Sequence, residues 1–101
     1  MANLPWKRLS QEDKVLLKDL YLNGADCAKF LARRFSWDLR ETMDRLKTLE
    51  KLGFLERVKG RFAVIRGRLK HMNHTYYELT RNAKLYIRKH PEVFEGLSEE
   101  P

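Results

Sequence analysis

Between residues 71 and 81 the chain reads HMNHTYYELTR, which sets two histidines three residues apart beside two tyrosines and two threonines. Imidazoles at that spacing are metal ligands in principle. A structural zinc, however, takes about four nitrogen or sulfur donors, and the chain offers only His71, His74, His90 and Cys27 besides carboxylates. No second Cys or His pair stands at finger-like spacing, so neither metal nor cofactor is expected. Cys27 falls early in an amphipathic helical pattern with no base evident near it, and no glycine loop of the phosphate-cradling kind is present. Catalysis is therefore not expected either, and Cys27 reads as a small packing residue.

The other chemistry-bearing group is cationic. The net charge is +7, and it is regional. Residues 1–56 carry eleven basic and nine acidic side chains, residues 57–90 carry ten and one, and residues 91–101 carry four acids and no base. Within the middle segment Arg57, Lys59, Arg61, Arg66, Arg68 and Lys70 fall in fourteen residues without an acid. Such a run suits a polyanionic partner, most often nucleic acid. It equally suits a charged edge that keeps sheets from associating.

These groups need a scaffold, and 101 residues make about one domain. The chain has no apolar run near the eighteen or so residues that cross a bilayer and no signal-peptide core, and its single cysteine cannot form an internal disulfide. A cytoplasmic domain held by core packing, with no membrane role, is expected.

Residues 1–9 read as an arm whose Trp6 can fold back. Ser10 with Asp13 resembles a capping box, and a helix follows to about residue 22 with Leu16, Leu17, Leu20 and Tyr21 on one face. Asn23-Gly24 ends it. Asp26 is the expected cap of a second helix with Ala28, Leu31 and Phe35 inward. A third helix spans 38–53, capped by Asp38 or Ser36, with Leu39, Met43, Leu46 and Leu49 as its inward stripe. Beyond Gly53 the period shifts towards 2, which predicts strands at 54–58, 62–69 and 74–80. Thr80 then caps a fourth helix ended by Pro91, and 91–101 reads as an acidic, flexible tail.

Helix, helix, helix, β-hairpin, helix is the order of a winged helix-turn-helix, an α+β and mainly α fold. LRETMDRLKTLEKLGFLERVKG (39–60) resembles the recognition helix and wing of bacterial and archaeal winged-helix regulators, and YYELTR (76–81) resembles their exit from the wing into the next helix. More narrowly, KHMNHTYYELTRNAKLYIRK (70–89) is similar to a group of small archaeal winged-helix proteins of unassigned function, with Asn82-Ala83 where a glycine commonly follows. The resemblance implies three helices, a two- to three-stranded wing and a C-terminal helix over residues 10–90.

It also implies duplex DNA as partner, with no enzyme activity. The third helix would enter the major groove and the wing would touch the backbone. Candidate contacts are Arg40, Lys47, Thr48 and Lys51 on the helix, and Lys59, Arg61, Arg66, Arg68 and Lys70 on the wing. Arg66, Arg68 and Lys70 are expected to line one side of a strand. The helix itself is charge-neutral over 36–52, with Glu41–Arg45 and Asp44–Lys47 as expected intrahelical pairs. That neutrality keeps a second reading open, a protein-interaction module in a larger transcription, replication or RNA-processing assembly. Val15, Leu22 and Leu85 are candidate residues of a homodimer surface, and no small-molecule effector is evident.

Overall fold

Ser10 starts the first helix by exchanging two hydrogen bonds. Its Oγ accepts from the Asp13 N–H at 3.1 Å while the Asp13 carboxylate accepts from the Ser10 N–H at 2.9 Å. The computed structural model describes residues 4–97, and the outermost parts of the expected arm and tail, 1–3 and 98–101, lie outside them. Helix α1 (Gln11–Asn23) buries Leu16, Leu17 and Leu20 and ends at Gly24, whose φ of 90° only glycine adopts without strain. Tyr21, expected on the buried face, is turned outward towards the ring of Phe94.

Asp26 does not cap the second helix. It lies in a two-residue strand, β1 (Asp26–Cys27), and its carboxylate accepts from the N–H of Cys27, which itself occupies the N-cap of α2 (Ala28–Phe35). Helix α3 (Leu39–Leu52) is capped by Asp38, which accepts from the Glu41 N–H at 3.0 Å, while Ser36 closes α2 in a left-handed conformation.

The inward face of α3 is Thr42, Leu46 and Leu49. Thr42 tolerates burial because its hydroxyl donates to the Asp38 carbonyl at 2.8 Å. Leu39 and Met43 flank this face and remain 48% and 40% exposed, contrary to the expected stripe. A period alone does not say which edge of an apolar stripe meets its neighbours.

After Gly53 come β2 (Leu55–Arg57), β3 (Phe62–Ile65), β4 (Arg68–His71) and β5 (Tyr76–Leu79). One sheet has the order β1-β5-β2, antiparallel throughout, with Leu55 opposite Leu79 and Cys27 opposite Tyr76. The single strand expected at 62–69 is instead a hairpin, β3 against β4, with Val64 opposite Leu69 and Ile65 opposite Arg68. Its two-residue turn is Arg66-Gly67, both at positive φ (50° and 83°), the geometry that matches the twist of the flanking strands.

Thr80 caps α4 (Arg81–Lys89), accepting from the Ala83 N–H, and its hydroxyl donates to the Gly53 carbonyl at 2.8 Å, which ties the sheet exit to the end of α3. The main core gathers leucines of α1, α2 and α3 around Phe54, with Tyr77 and Leu79 of β5 and Ala83 and Ile87 of α4. A smaller core of Cys27, Ile65 and Tyr76 lies under the hairpin.

Trp6 does fold back, stacked on Tyr86 at 4.6 Å and edge-on to Phe54 at 4.9 Å. At the other end Pro91–Phe94 form a 3-10 turn whose Val93 and Phe94 pack on the main core, so this part of the segment expected to be flexible is docked. The molecule is a mainly helical winged helix-turn-helix.

Candidate nucleic-acid interface

The outer face of α3 is less neutral than its sequence. The expected Glu41–Arg45 and Asp44–Lys47 pairs do not form among the described residues. Arg45 reaches back to Asp13 at 2.6 Å and to Ser10 Oγ at 3.0 Å, lying over the Trp37 ring, while Glu50 pairs with Arg57 of β2 at 3.1 Å. Both lie away from the exposed row of Arg40, Lys47, Thr48 and Lys51. None of these three cations has an ion pair among the described residues.

Beside that row lies a groove of about 650 Å³ between the start of α2, α3, β2 and the link 73–75. Leu39 and Met43 form its apolar wall, and Lys29, Lys47, Arg57 and His74 border it, with no carboxylate among the described lining residues. Lys29, Leu39 and Met43 are absent from the candidate contacts that sequence reasoning named. The two apolar ones read as core because they share the spacing of Leu46, and Lys29 carries no signal until α2 is placed against the groove.

The basic wing divides in two. Lys59 and Arg61 are exposed in the link between β2 and β3. Arg66 is not in line with Arg68 and Lys70 but in the turn, folded back on the body. Its Nη2 donates to Asp19 at 2.7 Å and to the Gly24 carbonyl at 3.2 Å, its Nε to the Ala25 carbonyl at 3.3 Å, and its Nη1 lies 3.5 Å from Asp26. Arg34 of α2 pairs with the same two acids, at 2.9 Å and 3.2 Å.

Arg68 and Lys70, opposite Ile65 and Ala63, face α2, where Lys70 Nζ lies 5.1 Å from the centre of the Phe30 ring. The other side of the hairpin is apolar: Phe62 is exposed, as are Val64 and Leu69 at 70% and 73%. Alternation along the strands thus puts the cations against the body and the hydrophobes in water.

His71 bonds through Nδ1 to the Asn73 side chain and meets Phe62 edge-on, while His74 is exposed at the groove rim. Among these residues no three His, Cys, Asp or Glu converge as a metal-holding group. Burial holds the Tyr76 hydroxyl above the ordinary tyrosine range, reinforced by the neighbouring Cys27 and Asp26. Leu22 borders a separate groove with Tyr21, Ile87 and Phe94, which neither Val15 nor Leu85 lines.

Residues 7–90 match the family described as "Uncharacterized protein conserved in archaea (DUF2250)". The chain belongs to this family. No curated protein matches it. Among solved structures it is similar to NMB1585, a MarR family regulator from Neisseria meningitidis, at 20% identity and a TM-score of 0.62, covering 85% of this chain and 55% of that one. It is similar to ST1889 from the thermoacidophilic archaeon Sulfolobus tokodaii, at 24% identity and 0.56, covering 83% and 73%. Overoxidized AbfR bound to DNA matches at 16% identity and 0.64, covering 95% and 65%. These likenesses establish the winged-helix fold, and the chain spans little more than half of the MarR family regulator. No helix among the described residues is long and apolar enough to cross a membrane.

Proposed function

We propose that this chain is a DNA-binding, transcriptional-regulator-like winged-helix module that acts by occupying a duplex site, without chemistry. The observation that carries the reading is the groove along α3, bordered by Lys29 and Lys47 without a carboxylate among the described residues and continued by Arg40 and Lys51, which have no ion pair among them. Cations in that arrangement neutralise phosphates, while Thr48 and the apolar pair Leu39 and Met43 suit base edges and thymine methyl groups. Lys59 and Arg61 of the wing extend the contact to the backbone. Arg66 is left out, because its guanidinium is consumed by the body of the protein.

Glu41 and Asp44 on the same helix repel phosphate, so affinity for random sequence should be modest and steeply salt-dependent. The test is binding to random duplex DNA over a salt series. Replacing Lys29 and Lys47 by Ala should lower the slope of log K against log salt by about two, one for each phosphate no longer neutralised. No detectable binding at low salt would end this reading.

The exposed Phe62, Val64 and Leu69 favour a second reading, a protein-interaction module in which the wing docks on an apolar partner surface. Self-association through the Leu22 groove is a further proposal, read from the sedimentation mass of Leu22→Asp against the parent.

A further inference from the structure

Between α2 and the β3–β4 hairpin lies a second cleft, of about 370 Å³, whose floor is Phe30, Ile65 and Tyr76. Its volume is in the range of small-molecule sites. Five cations line it, and they fall into two groups. Arg34 and Arg66 are neutralised by Asp19 and Asp26, two acids for two bases. Asp26 is 3% exposed, and its remaining oxygen accepts from the Cys27 N–H, so among the described residues the cleft holds no free carboxylate to oppose an anion.

Arg33, Arg68 and Lys70 are the other group. None has an ion pair among the described residues, and two of them crowd one aromatic ring: the Arg33 guanidinium carbon is 6.0 Å and Lys70 Nζ 5.1 Å from the centre of Phe30. Arg68 stands two residues from Lys70 on the same side of β4. Three like charges around one concavity repel one another, and a multivalent anion between them relieves that repulsion while gaining charge-assisted hydrogen bonds from two arginines. The hairpin is pinned over the cleft by Arg66, so the arrangement exists before a ligand arrives.

We propose that this cleft binds a phosphate group through Arg33, Arg68 and Lys70, with the apolar floor meeting the body that carries it. The phosphate is supplied either by a free ligand of mononucleotide size or by the backbone of bound DNA. The inference does not rest on the DNA-binding reading, since a free nucleotide can fill the cleft of a protein that binds no duplex.

The test titrates the full chain with adenosine 5′-monophosphate, adenosine and inorganic phosphate by calorimetry, and with random duplex DNA over a salt series, for the parent and for Arg33→Ala/Arg68→Ala. The removed side chains are exposed, and an unchanged thermal midpoint verifies folding; Arg33→Lys/Arg68→Lys keeps the charge as a second variant. A free-ligand site gives heat with the nucleotide and none with adenosine, a dissociation constant raised at least tenfold in the alanine variant, and partial recovery in the lysine variant.

A backbone-phosphate site gives no heat with the nucleotide but a duplex salt slope shallower by about two in the alanine variant. Nucleotide binding unaffected by the substitutions overturns the proposal. So does the absence of nucleotide binding together with either no duplex binding or an unaltered salt slope. Nucleotide binding without any duplex binding leaves this site standing and removes only the DNA-binding reading.

Discussion

Around Leu46 and Leu49 water is excluded by leucines from three helices, all of them essentially inaccessible. Around Arg66, seventeen to twenty residues further along, the hairpin meets the same body through three buried side chains and an ion network of two arginines and two aspartates. The helical body is thus held by area removed from water, the hairpin by directional contacts that are satisfied together or not at all. Such a division lets the hairpin loosen without unfolding the body, because local stability follows local burial.

The comparison breaks most decisively in the body. Leu46→Ala should cost about 3 kcal/mol, the transfer term plus the cavity left behind, read from equilibrium denaturation. A cost no greater than that of a hairpin surface change would erase the distinction between the two regions. Next comes Asp26→Asn, which leaves Arg34 and Arg66 with Asp19 alone and should cost about 1–2 kcal/mol. Its sharper signature is hydrogen exchange, where amides of β3 and β4 should accelerate more than those of α3; uniform acceleration would mean that the ion network supports the whole fold.

Ser10→Ala removes one half of the capping box and should lower stability by about 1 kcal/mol, seen as a fall in thermal midpoint with the hairpin amides unaffected. On the outward side of the wing, Val64→Ser should stay within about 0.5 kcal/mol of the parent, since its side chain touches mainly water. A larger loss would show that this face is covered in solution, as the protein-interaction reading requires.

The smallest effect appears only in alkali. Tyr76 has its folded-state pKa raised above the unfolded value of 10.0, so folding favours the protonated phenol. Its contribution is complete below pH 10 and is lost as the pH climbs through the folded-state pKa. Thermal midpoints should therefore decline above pH 10 in the parent, and less steeply in Tyr76→Phe.

Features governed by near neighbours were legible in the chain. Ser10 with Asp13, Gly24, Gly53 and Thr80 mark helix ends through bonds or backbone angles set within four residues, and each stands where the sequence places it. The order of elements followed from these stops together with the change of period after Gly53. The candidate site was legible only in part. Arg40, Lys47 and Lys51 are on the outer face of α3 as expected, yet the groove beside them depends on Lys29, Leu39 and Met43, whose placement follows from how α2 and the sheet pack on that helix.

The wing marks the same boundary. Its cations and its Gly67 are visible in the letters, and a two-residue turn at Arg66-Gly67 is a short-range event. Where the hairpin points is not short-range. Arg66 meets Asp19 across 47 residues and the Ala25 carbonyl across 41, pairings no local pattern encodes. Sequence alone determined the caps, the turns, the charge of each segment and the kind of fold. Tertiary structure decided which apolar residues of α3 stayed in water, which arginine became an anchor and which three cations were gathered around one cleft. Period and propensity act over one helical turn, whereas burial and charge pairing are settled only when distant elements meet.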